Sequence, residues 1–207
     1  FPNNNVEVTP KEIIVHQRGD TAFNHYVWEE NVLKHNFKPL PDMFKLTCLD
    51  KENNLYDIDV LDCKSSPIFG YVINTSRLHW RKEMEERFED NPEEAKAYAE
   101  KHRFCINGEG LTEDEIREQK QNLANKIFAI GYMLHRFKSP SRAWAPQAMD
   151  NKIGENGECN GRSGKSFLFK TLSLFMKSVK LSGRNPKLMD NPHVFDQVNV
   201  HTDFVLV

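Results

Sequence analysis

A glycine-rich loop containing a lysine narrows the possible folds of this chain more than any other segment. Residues 159–166 read C-N-G-R-S-G-K-S, which is the phosphate-binding pattern G-x-x-x-x-G-K-[ST] with Cys159 in place of its first glycine. Glycines let the backbone curve so that successive N–H groups face a phosphate. The apolar run that follows predicts a buried helix over residues 166–179, the context in which such a loop binds an anion.

The alternative is a glycine-rich turn in front of a core helix, without a ligand. Lys165 argues against this alternative, because the partial positive charge at a helix start disfavours a cation there unless an anion is bound. Cys159 is small, so the first turn tolerates it where its φ is negative. We therefore expect a nucleotide site, with a lysine for the β- and γ-phosphates and a serine for Mg²⁺.

The composition fits a folded protein with no strong bias toward one kind of partner. Its 207 residues are 39% hydrophobic and 28% charged, and the formal net charge is −2. A nucleic-acid role would therefore need a local basic face. No apolar run approaches the roughly 20 residues that span a bilayer, and residues 1–6 lack the pattern of a signal peptide. We expect no membrane partner and a cytoplasmic protein, and the missing initiator Met suggests part of a longer one.

The four cysteines, which are widely spaced, are expected to be reduced thiols and not a disulfide or zinc framework. Residues 1–70 are predicted to be rich in strands. Short β-prone segments lie at 11–16 and 44–49, and residues 55–61 alternate apolar and polar side chains. The turn-forming residues 50–54 connect the last two segments, so we predict a β-hairpin.

The middle of the chain is predicted to be helical. Helices are expected over 78–88, over 92–102 with Asp90 or Asn91 as cap, and from a capping box at Thr112 and Glu115 to Ser139-Pro140. The charges of the first two are expected to form a solvated face and not a nucleic-acid contact. Apolar side chains at three- and four-residue steps predict the core face of the third helix: Ile116, Leu123, Ile127, Ile130, Leu134 and Phe137.

The last part of the chain is predicted to be the start of an α/β domain. Residues 142–149 suggest an edge or irregular strand because of Pro146, and the β-branched and apolar residues 204–207 suggest a short strand. In a phosphate-loop ATPase such a strand leads into an acidic residue that holds Mg²⁺ through water. Asp203 precedes the strand, so we expect this acid beyond residue 207, with Asp203 as metal ligand the alternative. This chain alone is then expected to hydrolyse ATP poorly.

The predicted fold class is thus an α+β region followed by the start of an α/β P-loop NTPase domain. The expected boundary separates residues 1–138, a module for DNA binding or oligomerisation, from residues 139–207. A non-catalytic DNA-binding or oligomerisation fragment therefore remains an open alternative, as does another P-loop enzyme such as a nucleotide or small-molecule kinase. About 140 residues precede the predicted P-loop domain, which favours an appended module over a kinase.

In these features the chain resembles helicase superfamily 3, in particular the primase-helicases of phages, plasmids and large DNA viruses. The residues that carry the resemblance are N-G-R-S-G-K-S-F at 160–167, F-V-L-V at 204–207, and the gap of about 40 residues between Lys165 and the expected acid. Residues 69–83 and 122–136 are also similar to the region before the ATPase core in phage-type members.

The resemblance implies a ring-forming, ATP-driven helicase that unwinds single-stranded or forked DNA in the cytoplasm of a bacterial host. Lys165 would be the catalytic residue, on the β- and γ-phosphates of ATP, and Ser166 would bind Mg²⁺. Backbone amides of the loop would hold the phosphates. The complete set of predicted nucleotide-binding residues is Asn160, Gly161, Arg162, Ser163, Gly164, Lys165, Ser166 and Phe167.

Overall fold

The structure, a computed structural model, describes residues 1–9, 11–134, 141, 144–149, 164–183 and 190–207. The chain forms two compact units, Phe1–Pro41 and Asp42–Val207. Within the described residues, short strands and helices are mixed in an α+β arrangement. The predicted boundary between residues 138 and 139 lies outside the described residues.

The first unit contains one antiparallel strand pair. Strand β1 (Asn4–Val8) pairs with β2 (Ile13–Gln17), so that Val6 lies opposite Val15. The sequence predicts β2 but not β1, because asparagines disfavour a strand unless a partner supplies the hydrogen bonds. A side-chain clasp closes the unit: Asn3 donates to the Phe37 carbonyl at 3.0 Å and accepts from its N–H at 2.8 Å.

The second unit begins with the predicted β-hairpin, which is confirmed. Strands β3 (Phe44–Asp50) and β4 (Leu55–Val60) are antiparallel. The turn is stabilised by the Asp50 carboxylate, which accepts hydrogen bonds from the N–H groups of Glu52 at 2.9 Å and Asn53 at 3.1 Å. Two hydrogen bonds from backbone N–H groups to a side chain thus replace the ladder at the turn.

Helix α1 (Pro67–Asn74) follows the hairpin and was not predicted. Its first turn has Pro67 at a position that needs no N–H donor, and the Ser66 hydroxyl accepts from the Phe69 N–H at 3.3 Å. Val72 and Ile73 are buried. The segment is short and apolar on most sides, so periodicity alone did not separate it from a strand.

The charged middle segment differs from its prediction in extent and in burial. The expected helix over 78–88 is reduced to a π-helical turn at Arg81–Glu85. Most charged side chains of the two segments form the expected solvated face, and the exception is Glu83, which is 1% exposed and forms an ion pair with Arg77. Helix α2 (Pro92–Lys101) is confirmed, and Asn91 is its cap, with Oδ1 accepting from the Glu94 N–H at 3.2 Å.

Helix α3 (Glu113–Leu134) has the predicted capping box. Thr112 Oγ1 accepts from the Glu115 N–H at 3.3 Å, and Glu115 Oε2 accepts from the Thr112 N–H at 2.7 Å. Leu123 is fully buried as predicted, whereas Leu134 is 46% exposed, so the core face ends before it. Phe137 and the predicted stop at Ser139-Pro140 lie outside the described residues.

The core of the second unit joins the hairpin to three helices. Helix α4 (Lys165–Leu172) adds Leu168 to buried side chains of β4, α1 and α3. This cluster includes Ile58, Phe69, Val72, Ile73, Ile106, Leu123 and Leu168. The segment that carries the glycine-rich loop therefore packs against residues of the predicted N-terminal module.

The C-terminal segment is a helix followed by two parallel strands, β5 (Ser178–Lys180) and β6 (Phe204–Leu206). The predicted strand at 204–207 is confirmed, but the predicted buried helix over 166–179 is wrong in length and burial. It ends at Leu172, and Leu174 is 80% exposed. The β-branched Val179 lies in β5 and pairs with Val205 of β6. This contact with a distant segment decides its conformation over the helical pattern of the local sequence. In the described residues 144–149 the suggested edge strand is not formed.

Candidate functional site

The structure describes the end of the predicted phosphate loop. Residues Cys159, Asn160, Gly161, Arg162 and Ser163 lie outside the described residues. Gly164 is the N-terminal cap of α4, and its carbonyl accepts the first helical hydrogen bonds. Lys165 and Ser166 are the first two residues of α4, and Ser166 and Phe167 are exposed. The helix start expected behind the loop is therefore present.

Gly164 has the left-handed backbone that only glycine adopts without strain, with φ +80° and ψ 1°. A Cβ at this position would lie 1.9 Å from the Tyr71 hydroxyl oxygen. Glycine is thus required here for two independent reasons, the dihedral angle and the close approach of α1. Its place in the sequence motif has a direct structural cause.

Tyr71 of α1 holds the end of the loop, and sequence reasoning missed it. Its hydroxyl donates to the Gly164 carbonyl at 2.7 Å, and its ring packs edge-on against Phe167 with centroids 4.8 Å apart. Burial raises the pKa of Tyr71, so the hydroxyl stays protonated and remains a donor. The only signal in the sequence is one tyrosine within an apolar helix, which by itself indicates core packing.

A cleft of about 920 Å³ opens beside this helix start. Gly164 and Leu168 line it from α4, and Lys126 lines it from α3. Thr75, which follows α1, connects the two sides: its Cγ2 is 3.4 Å from a Cβ built on Gly164, and its carbonyl accepts from Lys126 Nζ. The lysine ammonium and the start of α4 therefore face one space.

Lys126 is a partly buried cation in this cleft. Its Nζ donates to the Thr75 carbonyl and also lies 3.3 Å from Thr75 Oγ1. Among the described residues, no carboxylate lies within 4.0 Å of Nζ. Burial without a counter-charge lowers the pKa of Lys126 to about 8. The cleft thus contains a positive charge that an anion would stabilise.

The depressed pKa of Lys126 predicts an unusual pH dependence of stability. Between about pH 8 and 10.5 the unfolded chain keeps a proton that folded Lys126 has lost, so the free energy of unfolding rises with pH across this window. We expect Lys126→Met to remove this rise. Urea unfolding of both proteins at pH 7.5 and 10, with exposed Lys170→Met as control, measures it. An identical pH slope in wild type and Lys126→Met would contradict the prediction.

Asp203 directly precedes β6 and forms two hydrogen bonds with the backbone of Lys177. Its N–H donates to the Lys177 carbonyl at 2.7 Å, and its Oδ2 accepts from the Lys177 N–H at 2.8 Å. These bonds hold the residue before β6 next to the residue before β5. In the part of the chain that the structure describes, no group of three or more His, Cys, Asp and Glu is arranged to hold a metal ion.

Comparisons with protein-family models, with curated proteins and with solved structures found no match for this chain. Among the described helices, none is both long enough and apolar enough to cross a membrane. A functional assignment therefore depends on the loop sequence and on the geometry around Gly164.

Proposed function

We propose that this chain binds ATP and Mg²⁺ through residues 160–167, as part of a DNA replication helicase of the superfamily 3 type. The observation that carries the proposal is Gly164. The last glycine of the pattern has a left-handed backbone at the cap of α4, so Lys165 and Ser166 begin the helix as a phosphate loop requires.

The surroundings of the loop fit a nucleotide. The cleft of about 920 Å³ beside α4 is large enough for a small-molecule ligand. Lys126 adds a positive charge to it, and Ser166 is exposed at the helix start where an Mg²⁺ ligand is needed. The parallel pair β5–β6 after α4 is the connection expected in an α/β nucleotide-binding domain.

Each residue of the site would have a defined task. The backbone N–H groups at the start of α4 would face the phosphates, and Lys165 would neutralise the β- and γ-oxygens. Ser166 would hold Mg²⁺, which bridges phosphate oxygens and offsets developing charge during transfer. Tyr71 would keep the Gly164 carbonyl turned away from the phosphates, because this carbonyl accepts a hydrogen bond from the Tyr71 hydroxyl.

The proposal includes the parent assembly. It would be a homo-oligomeric ring acting on single-stranded or forked DNA, in the cytoplasm of a bacterial host. These features come with the family resemblance of the loop and of residues 204–207.

ATP binding by Lys165→Ala tests the nucleotide site. We expect the variant to bind ATP-Mg²⁺ at least about tenfold more weakly than wild type, since a charge-assisted phosphate contact is lost. Lys170→Ala, on the same helix, is the matched control and should bind as wild type. Titration calorimetry with ATP-Mg²⁺ measures both. Equal affinity of Lys165→Ala and wild type would refute the site.

A further inference from the structure

The ammonium of Lys126 and the cap of α4 are connected through one residue, Thr75. Lys126 Nζ donates to the Thr75 carbonyl and lies 3.3 Å from Thr75 Oγ1. The methyl carbon of the same threonine, Cγ2, is 3.4 Å from a Cβ built on Gly164. Lys126 and Gly164 also line the same cleft. The side chain of Thr75 therefore separates the ammonium from the first turn of α4.

The carboxylates around the cleft do not neutralise Lys126. Two carboxylates of the described residues line it, Asp114 and Glu118. Asp114 pairs with Arg117 at 2.9 Å. Glu118 Oε2 lies 2.8 Å from His79 Nε2. Among the described residues, no carboxylate lies within 4.0 Å of Lys126 Nζ. An anionic ligand in the cleft would therefore supply a counter-charge that these residues do not.

Lys126 has one more hydrogen bond to donate toward this space. An ammonium has three N–H donors, and Thr75 accepts from at most two of them through its carbonyl and its hydroxyl. On the other side of the threonine, the first N–H groups of α4 have no partner within the helix. An anion in the cleft would accept from both groups of donors, whereas a neutral ligand would leave the partly buried ammonium uncompensated.

We propose that Lys126 binds the phosphate chain of the nucleotide directly, as a second cation besides Lys165. This inference rests on the proposed function, because the nucleotide is the anion that it invokes. Lys126 lies on α3, within the module predicted over residues 1–138, whereas the loop pattern lies within residues 139–207. The phosphate site would thus be built from both sides of the predicted boundary, and the loop would depend on α3 for part of its affinity.

The contact makes nucleotide affinity depend on pH in one direction. Burial without a counter-charge lowers the pKa of Lys126 to about 8, and a phosphate beside it favours the charged form again. ATP binding should therefore take up a proton above pH 8, so that the affinity falls about tenfold between pH 7 and pH 9. The other titratable or charged groups on the elements around the cleft are Tyr56, Tyr71, Arg77, Asp114, Arg117, Glu118 and Lys165. Lys126→Met leaves all of these in place.

Titration calorimetry of the full chain with ATP-Mg²⁺ at pH 7 and pH 9 tests the contact. At pH 7 we expect Lys126→Met to bind about tenfold more weakly than wild type, since a charge-assisted bond to phosphate is lost. Lys126→Arg keeps its charge at both pH values, so its affinity should change little between them. Lys120→Met is the matched control, because Lys120 lies on the same helix but pairs with Asp57 outside the cleft.

Inorganic tripolyphosphate with Mg²⁺ separates a phosphate contact from a contact with the base or the ribose. Lys126→Met should weaken tripolyphosphate binding by the same factor as ATP binding. Circular dichroism and thermal unfolding of each variant establish that it is folded. Unchanged tripolyphosphate binding together with weakened ATP binding would place Lys126 on the nucleoside and overturn the inference.

The outcomes also separate this inference from the nucleotide site itself. If Lys165→Ala binds ATP more weakly than wild type and Lys126→Met does not, the nucleotide site stands and the role of Lys126 is wrong. An equal fall in affinity from pH 7 to pH 9 in wild type and in Lys126→Met would also contradict it. If Lys165→Ala binds ATP as wild type, the nucleotide site is refuted, and the role of Lys126 with it.

Discussion

Glu83→Ala is expected to lower the free energy of unfolding by about 3–5 kcal/mol, because it leaves an unpaired guanidinium inside the protein. The side chains of Arg77 and Glu83 are 3% and 0% exposed and form an ion pair. Tyr98 donates its hydroxyl to Glu83 Oε1 at 2.8 Å. Burial raises the pKa of Tyr98 to about 12, so this donor stays protonated.

The buried position of Glu83 is enforced by its neighbours. A Cβ on Gly108 would lie 2.5 Å from the Glu83 carboxyl carbon, so this glycine makes room for the carboxylate. The Tyr98 hydroxyl also accepts from the Glu109 N–H at 3.0 Å. Removal of the carboxylate therefore disturbs Arg77, Tyr98 and the backbone near Gly108 at once.

Urea unfolding at pH 7 of Glu83→Ala and of Glu85→Ala tests this prediction. Glu85 pairs with Arg81 at 3.0 Å, but the two side chains are 61% and 69% exposed, so its loss should cost less than about 1 kcal/mol. The double variant Arg77→Met with Glu83→Leu should be less destabilised than Glu83→Ala, since no buried charge remains. Similar losses of unfolding free energy in Glu83→Ala and Glu85→Ala would show that the buried ion pair contributes no more to stability than the exposed one.

Elements governed by local rules were predictable from the sequence. The turn at Asp50–Asn54, the Asn91 cap and the Thr112–Glu115 capping box each depend on hydrogen bonds within a few residues. Elements decided by distant contacts were not. Helix α4 stops at Leu172, and Ser178–Lys180, which the sequence places in the same helix, pair instead with β6, more than 20 residues further on. In the sequence Glu83 is one of many charged residues in its segment. Its partner Arg77 lies before the π-helical turn, so no helical spacing indicates that the two form a pair.

The same division applies to the candidate site. The loop pattern indicated Gly164, Lys165 and Ser166 because phosphate binding needs these residue types at fixed spacing. It could not indicate Tyr71 or Lys126, which come from other helices and meet the loop only in the folded chain. Sequence therefore predicts the part of the site that lies on one segment, and tertiary structure adds the part that holds it.

Gly164→Ala is expected to destabilise the protein more than Gly110→Ala, and to weaken ATP binding at the proposed nucleotide site. The left-handed backbone alone costs roughly 1–2 kcal/mol with a Cβ. The new methyl group would also meet the Tyr71 hydroxyl at 1.9 Å, and overpacking of this kind adds about 1–3 kcal/mol. Tyr71 cannot simply swing away, because its ring packs against Phe167.

Gly110→Ala separates the two contributions. Gly110 has nearly the same φ, +79°, but no atom lies within 4 Å of its added Cβ, so only the backbone strain remains. Tyr71→Phe combined with Gly164→Ala should recover part of the loss, because the nearest ring atom would then be Cζ at 3.0 Å. Urea unfolding and ATP titration of these variants measure both effects. If Gly164→Ala and Gly110→Ala lost equal stability, the contact between α1 and the loop would contribute nothing to the position of Gly164, and its conformation would be set by the backbone alone.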